Sequence, residues 1–344
     1  MKTKNTKTQV KKNDIKKSNQ KKVDKSKAIA DKISFFKQED GFLGISEKYE
    51  KGDINNAKVV VVPFGLEKWV SYGGGTKNGP TAIIKASHQV ELFDEEFWCE
   101  PCKEYGVITA KPVKIDKTSI EKALKQLESI TETILDYDKF PLILGGEHSI
   151  TAGSIRPFVK KYPNLAILHF DAHADLRDGY DGEHYSHASA LRRVMDNDIS
   201  TLISCGVRNI SAGEIPYLEA NKDRIKIHFA KDRRSWDIKK IVAPLKGRPV
   251  FLTFDIDGFD ASLMQATGTP EPGGFFWEDA IDIIKEASKI SNFVGADVVE
   301  LAPVKHLHSC DFIAAKLCYK ILSYAFVKPK ICNSVPFQML EYWK

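Results

Sequence analysis

Leu165-Ala166-Ile167-Leu168-His169-Phe170-Asp171-Ala172-His173-Ala174-Asp175 runs an apolar segment straight into acids and an imidazole at alternate positions. Side chains two apart in an extended segment point the same way. A strand leaving the core here can therefore aim Asp171, His173 and Asp175 at one point in space. Carboxylates held that close without a cation repel and raise each other's pKa, so the trio suits a divalent metal. A second apolar run, Val250-Phe251-Leu252-Thr253-Phe254, ends in Asp255-Ile256-Asp257, a further pair of acids at the same spacing. The pairing predicts a metal enzyme able to hold two ions.

Outward from these two runs the chain alternates between strand-like and helix-like segments. Short β-branched runs fall at 58–64, 141–144, 166–170, 201–205, 225–229, 250–254 and 294–301. Amphipathic stretches lie between several of them. The clearest is 118–137, with Ile120, Leu124, Leu127, Ile130 and Ile134 on one face and Thr118-Ser119-Ile120-Glu121 as a capping box. Others fall near 155–161, 277–290 and 311–325. Near-continuous apolar strands joined through helices predict an α/β protein, a three-layer α/β/α fold around a central, mostly parallel sheet. Ligands of such folds sit beyond the carboxyl ends of the strands. Gly145-Gly146-Glu147-His148, Asp171–Asp175, Asp255–Asp257 and Glu300 each follow a strand, so four strands deliver acids or imidazoles to one sheet edge.

Composition narrows the class. The chain has 344 residues, of which 42% are hydrophobic and 28% charged, as in a globular protein. No apolar stretch reaches the ~20 residues of a membrane span, and the first residues lack the apolar region of a secretory signal. Cysteines are few and scattered, which predicts a reducing, cytoplasmic setting. The net charge of +5 is unevenly placed: residues 1–27 carry +9 from eleven Lys and two Asp, leaving −4 for the rest. Residues 1–29 therefore read as a Lys-rich, disordered extension, and 30–344 as one catalytic domain. A nucleic acid could contact only that tail, whose lysines have no interleaved aromatics for base stacking; a solubilising role is the simpler reading.

Taken together the proposed ligands are His148, His173, Asp171, Asp175, Asp255 and Asp257. An oxygen-rich set with imidazoles suits Mn²⁺, and Ni²⁺ or Co²⁺ could enter the same site. Two ions ~3.5–4 Å apart can make a shared water nucleophilic near neutral pH. The segments Gly145–Ile150 (GGEHSI), Phe170–Asp175 (FDAHAD) and Phe254–Asp257 (FDID) resemble the metal signatures of the ureohydrolase superfamily, which includes arginases and agmatinases. Ser71–Pro80 (SYGGGTKNGP), Thr267–Gly274 (TGTPEPGG) and Asp297–Glu300 (DVVE) are similar to further agmatinase segments, so the likeness covers roughly residues 58–303.

The resemblance implies an arginase-like fold and a role for each residue. His148, Asp171, Asp175 and Asp255 would hold one Mn²⁺. His173, Asp171, Asp255 and Asp257 would hold the other, with Asp171 and Asp255 bridging. Glu300 would bind the substrate guanidinium, and His187 would shuttle protons. Agmatine, cleaved to putrescine and urea, is the implied substrate, because Tyr185-Ser186-His187-Ala188-Ser189 differs from the arginase loop that reads an α-amino acid. Aminopropylagmatine, guanidinobutyrate, guanidine and arginine are alternatives, and a non-catalytic binding protein is a further one. Asp260-Ala261 and Gln265-Ala266 depart from the family pattern and bear on substrate choice. The resemblance also implies a homo-oligomer, a trimer or hexamer.

Each assignment has a simpler competitor. Asp175 could cap a turn, and Glu300 could form a structural salt bridge. His184 lies in the same loop as His187 and could serve in its place. His169 reads as structural, and His306 and His308 as solvated surface. Cys99-x-x-Cys102 lacks the second pair of a metal site. Gly73–Gly75 lacks the ending of a phosphate loop and fits the edge of a pocket.

Overall fold

The fold is seen in a computed structural model that describes residues 29, 32–45 and 54–328. The Lys-rich segment expected over 1–29 lies outside the described residues apart from Ile29. Among the described residues eight strands form the sheet: β1 (Val59–Phe64), β2 (Val107–Thr109), β3 (Phe140–Gly145), β4 (Ala166–Phe170), β5 (Thr201–Val207), β6 (Ile225–Phe229), β7 (Pro249–Asp255) and β8 (Asn292–Val299). Their order is β2-β1-β3-β8-β7-β4-β5-β6, and every pairing is parallel. The expected three-layer architecture is what forms, with a sheet that is wholly parallel.

Alternation along the strands explains the two covered faces. Val59, Val61, Leu168, Phe170, Leu252 and Phe254 pack to one side with α1 (Gly79–Ser87), α4 (Trp277–Ile290) and α5 (His308–Phe326). Val60, Val62, Ile143, Ile167 and Phe251 pack to the other with α2 (Ile120–Asp136) and α3 (Ile150–Lys161). The stripe predicted for α2 is the buried one: Ile120, Leu124, Leu127 and Ile134 are fully enclosed, each contributing roughly 1.5–3 kcal/mol of burial. Its cap differs from the expectation. Ser119, not Thr118, accepts the Lys122 amide at 3.2 Å, while Thr118 turns both its amide and its hydroxyl to Asp116 Oδ1.

Short elements escaped the sequence reading, and one helix was read with a late start. Strand β2 is three residues long at the sheet edge, too short for a periodic pattern. Helix α1 begins with Gly79-Pro80, residues that read as a loop but fit a first helical turn. Helix α3 starts at Ile150, five residues earlier than the apolar pattern suggested, directly after the GGEH segment.

The site follows from the strand order. The strands that carry the chemistry, β3, β8, β7 and β4, are consecutive neighbours at the sheet centre. Parallel pairing puts their carboxyl ends at one edge, with Leu144 opposite Val298 and Asp255 opposite Val299.

Candidate metal centre

The carboxyl ends of those strands open into a cleft of about 300 Å³ lined by His148, His173, Asp175, Asp255, Asp257 and Glu300, with Trp69–Gly73, Arg177, Tyr180 and His187 around them. Asp171 lies beneath, fully buried. His148 Nδ1 stands 3.1 Å from Asp171 Oδ2, 3.2 Å from Asp175 Oδ2 and 3.2 Å from Asp255 Oδ2. His173 Nδ1 stands 3.4 Å from Asp171 Oδ1 and 3.1 Å from Asp257 Oδ2. Asp171 thus gives one oxygen to each imidazole, and the two groups share it.

The backbone sets these directions. Asp255 Oδ1 accepts the Asp257 amide at 2.9 Å, and Asp257 Oδ1 accepts the Ala172 amide at 3.0 Å. Each bond leaves the second carboxylate oxygen aimed at an imidazole. Asp175 and Glu300 both adopt positive φ, 52° and 65°, a conformation uncommon outside glycine and frequent at functional sites. That turn takes Glu300 out of β8, where the sequence pattern had continued the strand to 301. Its amide donates to Gly146 O at 2.8 Å, and its Oε1 accepts the His148 amide at 2.7 Å. Gly146 also lets the Leu66 backbone pack against this turn, since a Cβ there would sit 1.9 Å from Leu66 O.

Electrostatics tests whether a metal fits. Burial opposes charge on His148, but Asp171, Asp175 and Asp255 outweigh it and lift its pKa well above the usual imidazole value. Burial likewise opposes charge on His173, which Asp257 and Asp171 push up to about 12. Asp175 is pushed up to about 7 by burial and by the charge of Asp171. Burial also raises Asp255 well above the carboxylate range, aided by Asp257 and Asp171. The carboxylates therefore draw in positive charge, which the imidazoles beside them supply here. Yet His148 Nδ1, buried among three carboxylate oxygens, forms a well-directed hydrogen bond with none of them. Lone pairs that converge without pairing as donor and acceptor are the pattern of a coordination shell, so the residues fit a divalent ion.

The second histidine pair of the sequence reading separates in space. His187 borders the cleft, its Nε2 2.7 Å from Ser71 Oγ. Burial lowers its pKa, and His173 and His148 lower it further. His184 is exposed and turns to the Arg193 guanidinium. His306 and His308 are exposed and take no part in the lining. Cys102 is buried, its thiol pushed up to about 11 by burial, which leaves little thiolate for redox chemistry.

Some contributors went unread in the sequence. His169 is more than core: its Nδ1 meets Ser204 Oγ at 2.8 Å and its Nε2 meets Asp171 Oδ2 at 2.9 Å, which orients the shared carboxylate. Glu147 accepts the amides of Lys68 and Trp69 at 2.6 and 2.8 Å and the Ser149 hydroxyl at 2.6 Å. It thereby fixes the loop that brings Trp69, Ser71 and Tyr72 to the cleft. The Arg208 guanidinium donates to carbonyls of Gly206, Asp257, Gly258, Phe259 and Glu271, lacing three loops together behind the site. An acid at the end of an apolar strand was a readable signal for Glu147; nothing local marked Arg208.

A parallel α/β sheet with imidazoles and carboxylates converging at its central carboxyl edge defines the class: a three-layer α/β/α scaffold with a candidate metal centre. A family model, Arginase family, matches residues 57–323. The chain is 34% identical over 279 residues to the N(1)-aminopropylagmatine ureohydrolase of Synechocystis sp., covering 78% of this chain and 89% of the relative. It is 33% identical over 269 residues to the agmatinase of Bacillus cereus, covering 77% and 91%. The solved agmatine ureohydrolase of Thermoplasma volcanium superposes with a TM-score of 0.70 at 27% identity, covering 81% of this chain and 92% of that one. The chain belongs to the arginase family and is a ureohydrolase, a hydrolase of guanidino compounds. Among the described residues no helix is long and apolar enough to cross a membrane.

Proposed function

We propose that this protein hydrolyses agmatine to putrescine and urea at a binuclear manganese centre. One arrangement supports the reading above all others: two imidazole–carboxylate sets share Asp171 in the cleft that Glu300 enters. In this reading His148, Asp171, Asp175 and Asp255 hold one Mn²⁺, and His173, Asp171, Asp255 and Asp257 the other; Ni²⁺ or Co²⁺ would fit the same donors. Residues 30–344 act as the catalytic domain, in the cytoplasm and within a homo-oligomer.

When bound, the ions supply Lewis acidity and an activated water near neutral pH. The remaining work falls to the chain. Glu300, tethered at Oε1 by the His148 amide, offers its other oxygen to the planar N–H fork of a guanidinium, a charge-assisted contact. The same contact fixes the plane of the guanidinium, so that its carbon faces the attacking oxygen. Glu147 holds the Lys68 and Trp69 amides at the rim, narrowing access of bulk water. The C–N bond to the aliphatic amine breaks only if that nitrogen gains a proton. His187, next to the Ser71 hydroxyl, is neutral and would take up the proton that the attacking water gives up and pass it to that nitrogen.

His187 supplies a pH test. Its pKa is lowered, so it is neutral at pH 7 and gains charge only below the usual imidazole range. Turnover is expected to fall on the acid side, with the limb below that range. His187→Asn is expected to lower kcat by about 10²-fold, the common size of a proton-transfer contribution. An unchanged profile and kcat would remove His187 from the mechanism.

Aminopropylagmatine is the second substrate to test, because Trp69, Tyr72 and Tyr180 flank an open rim that a longer cationic tail could cross. The deciding experiment is urea release by Mn²⁺-loaded protein from agmatine, aminopropylagmatine, guanidinobutyrate, guanidine and arginine. Fastest release from agmatine is expected; no urea from any of them would overturn the assignment. Deleting residues 1–27 is expected to leave kcat intact, and a large loss would give the Lys-rich tail a catalytic role.

A further inference from the structure

Thr253 lies on β7, and its register partner on β8 is Asp297. Both side chains are fully enclosed on the sheet face that α3 covers. Neither bears on the cleft, and the mechanism above uses neither. Thr253 Oγ1 lies 2.9 Å from His148 Nε2. An imidazole that offers its Nδ1 lone pair to an ion carries its proton on Nε2, so Nε2 donates and Thr253 accepts. The threonine hydroxyl then has one proton of its own to place. Asp297 Oδ2 already accepts the Thr151 hydroxyl at 2.8 Å, whereas Asp297 Oδ1 is buried without a well-directed hydrogen bond, with the Thr253 hydroxyl and the Phe254 amide beside the carboxyl. A buried carboxylate oxygen without a donor is costly, and the neighbouring Thr253 O–H is the donor that can relieve it.

We propose that Asp297 and Thr253 form a positioning relay that locks the His148 tautomer and ring plane, so that Nδ1 faces the carboxylates Asp171, Asp175 and Asp255. The inference rests on the metal-centre reading above and adds two buried residues to it. Neither touches ion or substrate; both act through His148. Outer partners of this kind commonly change metal affinity by about 10–100-fold.

The test is Mn²⁺ uptake by the full chain after chelator treatment, measured by equilibrium dialysis beside melting of the metal-free protein. Thr253→Val, nearly isosteric, is expected to weaken one of the two ions about 10–100-fold and leave the other unchanged. Thr253→Ser restores the hydroxyl and is expected to bind as wild type, a rescue that a packing role alone would not produce. A folded Thr253→Val protein with wild-type affinity for both ions would overturn the relay. Should that variant fail to fold, Asp297→Asn carries the test. Its amide oxygen still accepts from Thr253 but more weakly, so an intermediate loss at the same ion is expected, and none would overturn the proposal. Wild-type protein that takes up no Mn²⁺ would instead overturn the metal centre, and the relay with it.

Discussion

An Asp171→Asn protein is expected to release urea at least about 10³-fold more slowly than wild type, the upper range for losing one preorganised electrostatic group. The size follows from sharing. Asp171 Oδ2 serves the His148 set and Oδ1 the His173 set, so one substitution touches both. Asparagine keeps the shape but replaces an acceptor oxygen with an N–H donor and removes the charge. That donor would face His148 Nδ1 or His173 Nδ1, where an ion must bind. His169, which holds Oδ2 at 2.9 Å, would bond whichever atom it receives and fix the wrong arrangement in place. Loss of both ions is therefore expected, read as Mn²⁺ per chain by elemental analysis alongside urea release. Asp257→Ala is the contrast, because Asp257 meets His173 alone of the two imidazoles. If it left turnover undiminished, one ion would suffice and the binuclear mechanism would fail. If Asp171→Asn retained both ions and full activity, the shared carboxylate would have no catalytic part.

The legible portion of this site was the part written as alternation. In Phe170–Asp175 and Phe254–Asp257 the acids follow apolar strands at spacing two, but the strands stop at Phe170 and Asp255, and the turns beyond them, with Asp175 at positive φ and Asp257 in a 3-10 turn, bring the acids together. Helix α2 announced itself in the same way, through period and buried stripe. The order of the strands carried no such signature. That β3, β8, β7 and β4 stand side by side depends on how distant segments pair, and the chain visits β4 to β6 before β7 returns beside β4. Thr253 and Asp297 illustrate the consequence. Within its own run Thr253 reads as an ordinary β-branched strand residue, and Asp297 as an acid in an apolar stretch. Only parallel pairing makes them neighbours beneath His148. Glu300 was read as the end of a strand, yet its positive φ turns it toward the His148 amide. A left-handed acid has no local sequence mark, since the conformation is imposed by Gly146 accepting its amide from the adjoining loop.

Glu300→Gln is expected to lower kcat/KM for a guanidino substrate by about 10²–10³-fold while making the metal-free protein more stable. The two halves have one cause. Burial raises the Glu300 carboxyl well above its usual range, and the charge of Glu147 adds to the rise. Only the His148 amide hydrogen bond and the His148 charge counter it strongly enough to matter. A carboxyl whose pKa is higher folded than unfolded is neutral in both states at low pH and carries no penalty there. Between the ordinary carboxylate value and the raised one the unfolded chain ionises while the folded carboxyl keeps its proton, so stability is lost as pH rises across that window and levels off above it. Glutamine never ionises, so the variant's advantage in melting temperature should be absent below the ordinary carboxylate range, grow as the pH rises toward the raised value, and level off above it. The substrate supplies what the empty fold lacks: a guanidinium whose N–H fork satisfies the charge. Removing one partner of such a buried charged pair costs about 2–5 kcal/mol, which brackets the expected kinetic loss. Glutamine can still accept the His148 amide, so the turn at position 300 survives and the loss reports on the substrate contact. Melting curves of metal-free protein across pH, paired with steady-state kinetics of the Mn²⁺-loaded form, check both halves. A variant that lost activity but gained no stability at any pH would place Glu300 in a solvated, structural role. One that gained stability and kept wild-type kcat/KM would leave the guanidinium to be held by another group.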